Sequence, residues 1–138
     1  MPENAKIIEP LAKFHARILS QNRITIPKET REVHSISARD YVVVILRKLQ
    51  GATPIQRVLV ILRVSTQGVA PLPMELVRQL NLVKGEIVEV VLLKVIHPPK
   101  LLIQDISIPA EFLGEIYNKG FVFLDPSSER RIILQSSE

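Results

Sequence analysis

SQNRITIPKETREVHSI (Ser20–Ile36) returns forty-six residues later as TQGVAPLPMELVRQLNL (Thr66–Leu82). Gln21 falls on Gln67, Pro27 on Pro73 and Glu29 on Glu75. The match runs without a gap from Arg17–Lys48 to Arg63–Lys94. Farther along, Val42, Val44, Leu46 and Lys48 fall on Val88, Val90, Leu92 and Lys94. Each copy reads as a strand, a short turn, a second strand ending at proline, a helix and a long β-rich run. Self-similarity at a fixed period decides an architecture before any single motif does. Two halves in one chain imply a fused dimer.

Within the first copy, Ile24 and Ile26 share one strand face while Arg23 and Thr25 share the other. Pro27 removes a backbone donor where the strand must stop, and proline is tolerated as a helix begins. Glu29 then falls in the first helical turn, where a carboxylate complements the dipole. The spacing predicts a helix over about Lys28–Ser35 and a nearly continuous buried strand over Tyr41–Leu49. Gln50–Gln56 (QGATPIQ) contains the breakers Gly51 and Pro54 and predicts a turn or linker. The second copy supplies a strand at Arg57–Ser65, a turn at Gly68, a strand at Ala70–Pro73 and a helix at Met74–Leu80. A Lys84-Gly85 turn and a strand over Glu86–Ile96 complete it.

Residues 1–50 therefore form the first repeat, with a flexible lead or edge segment over 1–12, and residues 51–97 form the second. His97-Pro98-Pro99-Lys100 reads as a semi-rigid connector. Residues 98–138 read as a C-terminal β-α-β-β extension. Its ISIPAE (residues 106–111) echoes ITIPKE (residues 24–29), either as a degenerate third repeat or as an independent strand-to-helix junction built the same way. A helix to about Tyr117, a strand at Phe121–Leu124 and a strand at Arg130–Gln135 are expected there. Mainly β structure with short helices is the resulting fold class.

Composition agrees with strands. Apolar residues make up 46% of the 138 residues but aromatics only 4%, so the core is built from Val, Ile and Leu. Cysteine is absent, which excludes disulfides and thiolate metal sites. No charge-free apolar run is long enough to span a bilayer, and MPENAKIIEP does not read as a signal peptide. A cytoplasmic protein is the expectation. The net charge of +4 is uneven: residues 1–50 hold nine basic against five acidic side chains, and residues 98–138 hold four against six. A basic first half and an acidic tail suit a polyanion contacted by one part of the molecule, although a solvated basic surface would look the same.

NRITIPKETRE (residues 22–32) resembles the swapped-hairpin domain of the AbrB/SpoVT/MazE family. Its signature, roughly g-R-[IV]-x-[IL]-P-k-x-[IL]-R, is matched by Arg23, Ile24, Ile26, Pro27, Lys28 and Arg31, with Asn22 at the glycine position. The second copy keeps Gly68, Pro73 and a Lys84-Gly85-Glu86 turn resembling the family's Gly-Asp turn. The resemblance covers about residues 15–49 and 61–96. It implies a small β-barrel of two interleaved units, here an intrachain pseudo-dimer. It also implies binding of double-stranded DNA by transcription regulators, antitoxins or archaeal chromatin-like, nucleoid-associated proteins. Carried over by position, Arg23, Lys28 and Arg31 are the expected DNA contacts, with Arg17 one strand earlier as an addition.

The copies diverge at these positions. Val69, Met74 and Val77 replace Arg23, Lys28 and Arg31, leaving Arg63 and a displaced Arg78 as nearby cations. In the first copy the turn reads Arg39-Asp40, without the glycine. One copy keeps the charge and the other keeps the backbone signals. The apolar trio marks either a surface for a protein partner or self-association, through this repeat or the tail, or plain core packing. A protein–protein adaptor or antitoxin-like module is the alternative function. Catalysis is not expected: His15, His34 and His97 are scattered, and no nucleophile elbow or phosphate loop is present. Glu29 and Glu75 have structural reasons at helix starts. No cofactor or metal is implied.

Overall fold

The computed structural model describes residues 10–98 and 108–135. In chain order the elements are β1 (Ala12–Arg17), β2 (Arg23–Thr25), α1 (Lys28–Val33), β3 (Tyr41–Gln50), β4 (Thr53–Arg63) and β5 (Val69–Pro71). There follow α2 (Met74–Gln79), β6 (Ile87–Ile96), α3 (Ala110–Lys119), β7 (Phe121–Leu124) and α4 (Pro126–Gln135). The fold is mainly β. One antiparallel sheet has the order β1-β6-β3-β4-β7, and β2 and β5 form a separate two-stranded ribbon. The described strands thus make two ladders, not one closed barrel.

The forty-six-residue period survives as hydrogen bonds. The Ile26 N–H donates to the Gly68 carbonyl at 2.9 Å, and the Leu72 N–H to the Asn22 carbonyl at 2.9 Å. The Ile18 N–H reaches the Glu86 carbonyl at 2.8 Å, and the Val64 N–H the Asp40 carbonyl at 2.8 Å. Register shows the same reciprocity: Ala16 lies opposite Val88, and Leu62 opposite Val42. On the ribbon, Ile24 lies opposite its own counterpart, Ala70. Every such bond joins one repeat to the other, so neither copy closes its backbone pairing alone.

Alternation along the strands explains why Tyr41–Leu46 is apolar without a break. Val42, Val44 and Leu46 join Val58, Val60, Val88 and Val90 in a core under the ribbon and the short helices. Val43 and Ile45, pointing the other way, join Leu59, Val91, Ile116, Val122 and Ile132 in a second core. The tail supplies the second layer: β7 extends the sheet beside β4, while Ile116 of α3 and Ile132 of α4 are buried against it. Without that layer, a row of buried aliphatics would face water.

Three expectations need correction. Gln50–Gln56 is not a linker, because β3 runs to Gln50 and β4 starts at Thr53 after a two-residue turn. Gly51 supplies the left-handed φ of +61° there, and Pro54 sits where the register shifts, a place that tolerates a missing donor. The lead ends earlier than read, with Ala12 already paired to Leu92; residues 1–9 lie outside the described residues. Finally, Arg130–Gln135 is helix, not strand. The Ser128 N–H donates to Asp125 Oδ1 at 2.7 Å and the Glu129 N–H to the Asp125 carbonyl at 3.0 Å. Asp125 therefore caps a helix that proline can begin.

Pro27, Pro73 and Pro109 enter their helices with nearly the same geometry, φ between −59° and −53° and ψ between 135° and 145°. The third junction leads to a four-residue strand and another helix instead of a long strand, so the likeness stops after α3. The first strand expected in the extension lies outside the described residues.

Candidate nucleic-acid interface

Arg23, Lys28 and Arg31 hang from the ribbon and from α1, which Pro27 starts. In β2, Arg23 stands opposite Pro71 and its Nε donates to the Ser20 carbonyl at 3.1 Å. The Arg31 Nε–H donates to the Ile26 carbonyl at 3.0 Å, and the guanidinium lies directly over Gly68, where a Cβ would collide with it. Lys28 is exposed, 3.9 Å from Glu32, a pairing of little strength at such exposure. Lys28, Arg31 and Glu32 share a shallow cleft with Ser35 and Ser37. Arg17 is placed elsewhere: its Nη1 donates to the Gly85 carbonyl at 3.0 Å beside Glu86 and Ile87.

Two cations outside that set stand close by. Arg39 and Arg63 are exposed and line a cleft of about 330 Å³ with Ser65, Thr66 and Pro71. Pro71 is the residue opposite Arg23, so this cleft adjoins the ribbon. Their positions carried a sequence signal. Arg39 occupies a turn position that is glycine in the other copy, and Arg63 is the counterpart of Arg17.

The other arginines of the sheet are neutralised. Arg47 and Arg57 are register partners on neighbouring strands, a repulsive placement. Glu129 of α4 reaches both, at 2.8 Å to Arg47 Nη2 and 3.2 Å to Arg57 Nε, and Glu89 meets Arg47 Nη1 at 2.7 Å. Burial works against the Arg47 charge, yet hydrogen bonds to Glu129 and Glu89 hold the guanidinium above its ordinary pKa. Within the described residues, Arg17, Arg23, Arg31, Arg39 and Arg63 have no carboxylate within ion-pair distance.

The apolar trio of the second copy divides. Val77 is buried in the first core, so its replacement of Arg31 is packing. Met74 is 56% exposed, its sulfur accepting a hydrogen bond from Asn22 at 3.0 Å, and Val69 is half-buried in β5. Val33 and Val83 are also exposed. No helix among the described residues is long and apolar enough to cross a membrane.

No protein-family model matches the chain, and no curated protein matches it. Among solved structures, the solution structure of PHS018 from Pyrococcus horikoshii is similar, with a TM-score of 0.60 and 32% identity. The match covers 67% of this chain and 100% of that one. With identity at that level across the whole of the other protein, the chain belongs to the same family as PHS018 of Pyrococcus horikoshii.

Proposed function

We propose that the protein binds duplex DNA, as a transcription regulator or chromatin-associated protein of AbrB type. In this reading its two repeats form an intrachain counterpart of a swapped-hairpin dimer. One observation carries the proposal. Arginines around the ribbon and the adjoining turns lack carboxylate partners, whereas those facing the tail are paired. Unpaired guanidinium groups suit phosphates and guanine edges. The reciprocal hydrogen bonds at a forty-six-residue offset support the pseudo-dimeric part. Arg23, Lys28 and Arg31 make the contacts in this reading, and Arg17 has a secondary place because it stands apart from them, on β1 beside Gly85.

Fluorescence anisotropy with a labelled random duplex tests the proposal. Affinity is expected to fall steeply as salt rises, since each phosphate contact releases counterions. Arg23→Ala and Lys28→Ala should each reduce the slope by about one. Unchanged affinity in both variants across the salt series would refute the assigned contacts. Exposure of Val33, Met74 and Val83 favours a second reading, a protein–protein adaptor. A stoichiometric protein partner that survives nuclease treatment of a native lysate would support that alternative.

A further inference from the structure

We infer that Arg39 and Arg63 form an anion site that takes a phosphate group in the cleft they share with Ser65 and Thr66. Neither guanidinium has a hydrogen-bond or ion-pair partner among the described residues, although both stand at one opening. Two cations of like sign held at one cleft repel each other, and an anion between them removes that repulsion. The nearest acid in sequence, Asp40, is buried and already occupied. Its Oδ2 accepts the Ser37 N–H at 2.8 Å and lies 2.9 Å from His97 Nδ1.

Backbone strain points the same way. Arg39 holds a φ of +79°, a left-handed conformation that L-residues rarely adopt. Its counterpart Gly85 takes φ +90° freely. A 2.7 Å bond from the Arg39 N–H to the Val64 carbonyl fixes this turn against the end of β4, which carries Arg63. Strain of this kind persists where the surrounding structure holds it, and it clusters at functional sites.

The place related by the forty-six-residue period provides an internal control. At the equivalent place stand Gly85 and Arg17, and Arg17 is bonded to the Gly85 carbonyl, with Glu86 lining the same cleft. One cation, tied to the turn of the opposite repeat, replaces two free ones. The site therefore occurs once. The two guanidinium groups match the oxygens of a phosphate, with Thr66 beside them, whereas the Ser65 hydroxyl already donates to the Val69 carbonyl at 2.6 Å; the phosphate is either a nucleic-acid backbone diester or a free phosphate ester.

Pyrophosphate titration of the ¹⁵N-labelled full chain at low salt tests the site directly. Saturable shifts are expected at the amides of Arg39, Asp40, Ser65 and Thr66. Affinity should be about tenfold lower in Arg39→Gly and in Arg63→Gln, from loss of one charge-assisted bond each. Arg39→Gly removes strain, so weaker binding there cannot be attributed to misfolding. Shifts that do not saturate, or equal affinity in wild type and both variants, would overturn the site. A random duplex that displaces pyrophosphate supports the site and assigns it to a backbone phosphate. Retained pyrophosphate binding beside a duplex that does not compete supports it as a site for a free phosphate ester. Failure of duplex binding alone leaves the pyrophosphate result standing, so the two proposals fail separately.

Discussion

Arg31 of α1 is folded across Gly68 of the opposite repeat, its Cζ within 2.7 Å of where a Cβ would stand. The same guanidinium donates from Nε to the Ile26 carbonyl. One cation is thereby positioned by the backbone of both repeats. In the other half the corresponding residues are Val77, which is core, and Asn22, which carries a side chain. The close approach therefore exists on one side only, and it presents Arg31 at the cleft it shares with Lys28.

Gly68→Ala should cost about 1–2 kcal/mol, from the left-handed φ of +74° and from displacing Arg31. Denaturant unfolding of Gly68→Ala, Arg31→Ala and the double variant checks the cause. Once Arg31 is truncated the collision is gone, so Gly68→Ala should cost less in that background. Strict additivity would show that the contact does not restrain Arg31.

Much of this frame was legible in the residues. The period places Pro27 and Pro73 at equivalent helix starts, and Ile24 of β2 and Ile26 just after it are both buried as their alternation requires. Tyr41–Leu49 reads as a nearly continuous buried strand, but the layer covering its second face is not legible in it. That layer depends on Ile116, Val122 and Ile132, far along the chain. Arg130–Gln135 was misread because a short apolar run fits either periodicity, and only Asp125 ahead of Pro126 distinguishes a helix. Pro54 suggested a break because proline usually interrupts strands; the register shift beside it removes the need for its missing N–H. Arg39 and Arg63 are legible one at a time, as a turn arginine where the other copy has glycine and as the counterpart of Arg17. Their meeting at one cleft comes from the turn and β4 being pinned together.

Two positive-φ positions where one repeat has glycine give different expectations. Arg39→Gly removes about 1–2 kcal/mol of left-handed strain while adding about 0.5–1 kcal/mol of unfolded-state entropy, so a gain of about 0.5–1 kcal/mol is expected. Asn22, at φ +55°, already tolerates that region, so Asn22→Gly should fall within about 0.5 kcal/mol of wild type. Urea midpoints at constant m-value decide this. A loss of stability in Arg39→Gly would mean that its side chain makes a compensating contact.

Asp125 links α4 to pH. The Ser128 backbone N–H, and to a lesser extent its hydroxyl, hold the Asp125 carboxyl below its ordinary pKa. A carboxyl with a depressed folded-state pKa stabilises fully above its unfolded value, and the contribution disappears as pH falls through the folded value. Amide protection at Ser128 and Glu129 should therefore weaken on acidification below the usual carboxylate range. In Asp125→Ala that protection should be weak at every pH, and its remaining acid dependence should lack this component. A wild-type-like acid profile in the variant would assign the cap elsewhere.

Glu129 is the residue on which docking of the tail depends most directly. Arg47 and Arg57 lie side by side across β3 and β4, with side-chain exposures of 13% and 17%, and Glu129 from α4 bonds both. Of these two arginines Glu89 reaches only Arg47, and its other oxygen lies 3.7 Å from Lys13 Nζ. Removing Glu129 therefore leaves one buried guanidinium repelled by another, with only half of the compensating charge. Glu129→Gln should cost about 3 kcal/mol, near the lower end for breaking a buried pair, because the amide retains one acceptor. The loss should also be local. Hydrogen exchange should rise first in α4 and β7, while Ile24 and Ala70 of the ribbon stay protected, since their bonds lie in the other layer. Replacing both Arg57 and Glu129 by apolar residues of similar size should recover much of the stability, because it removes the repulsion and leaves Arg47 paired with Glu89. Uniform loss of protection through both layers would instead show that tail and repeats unfold as one cooperative unit.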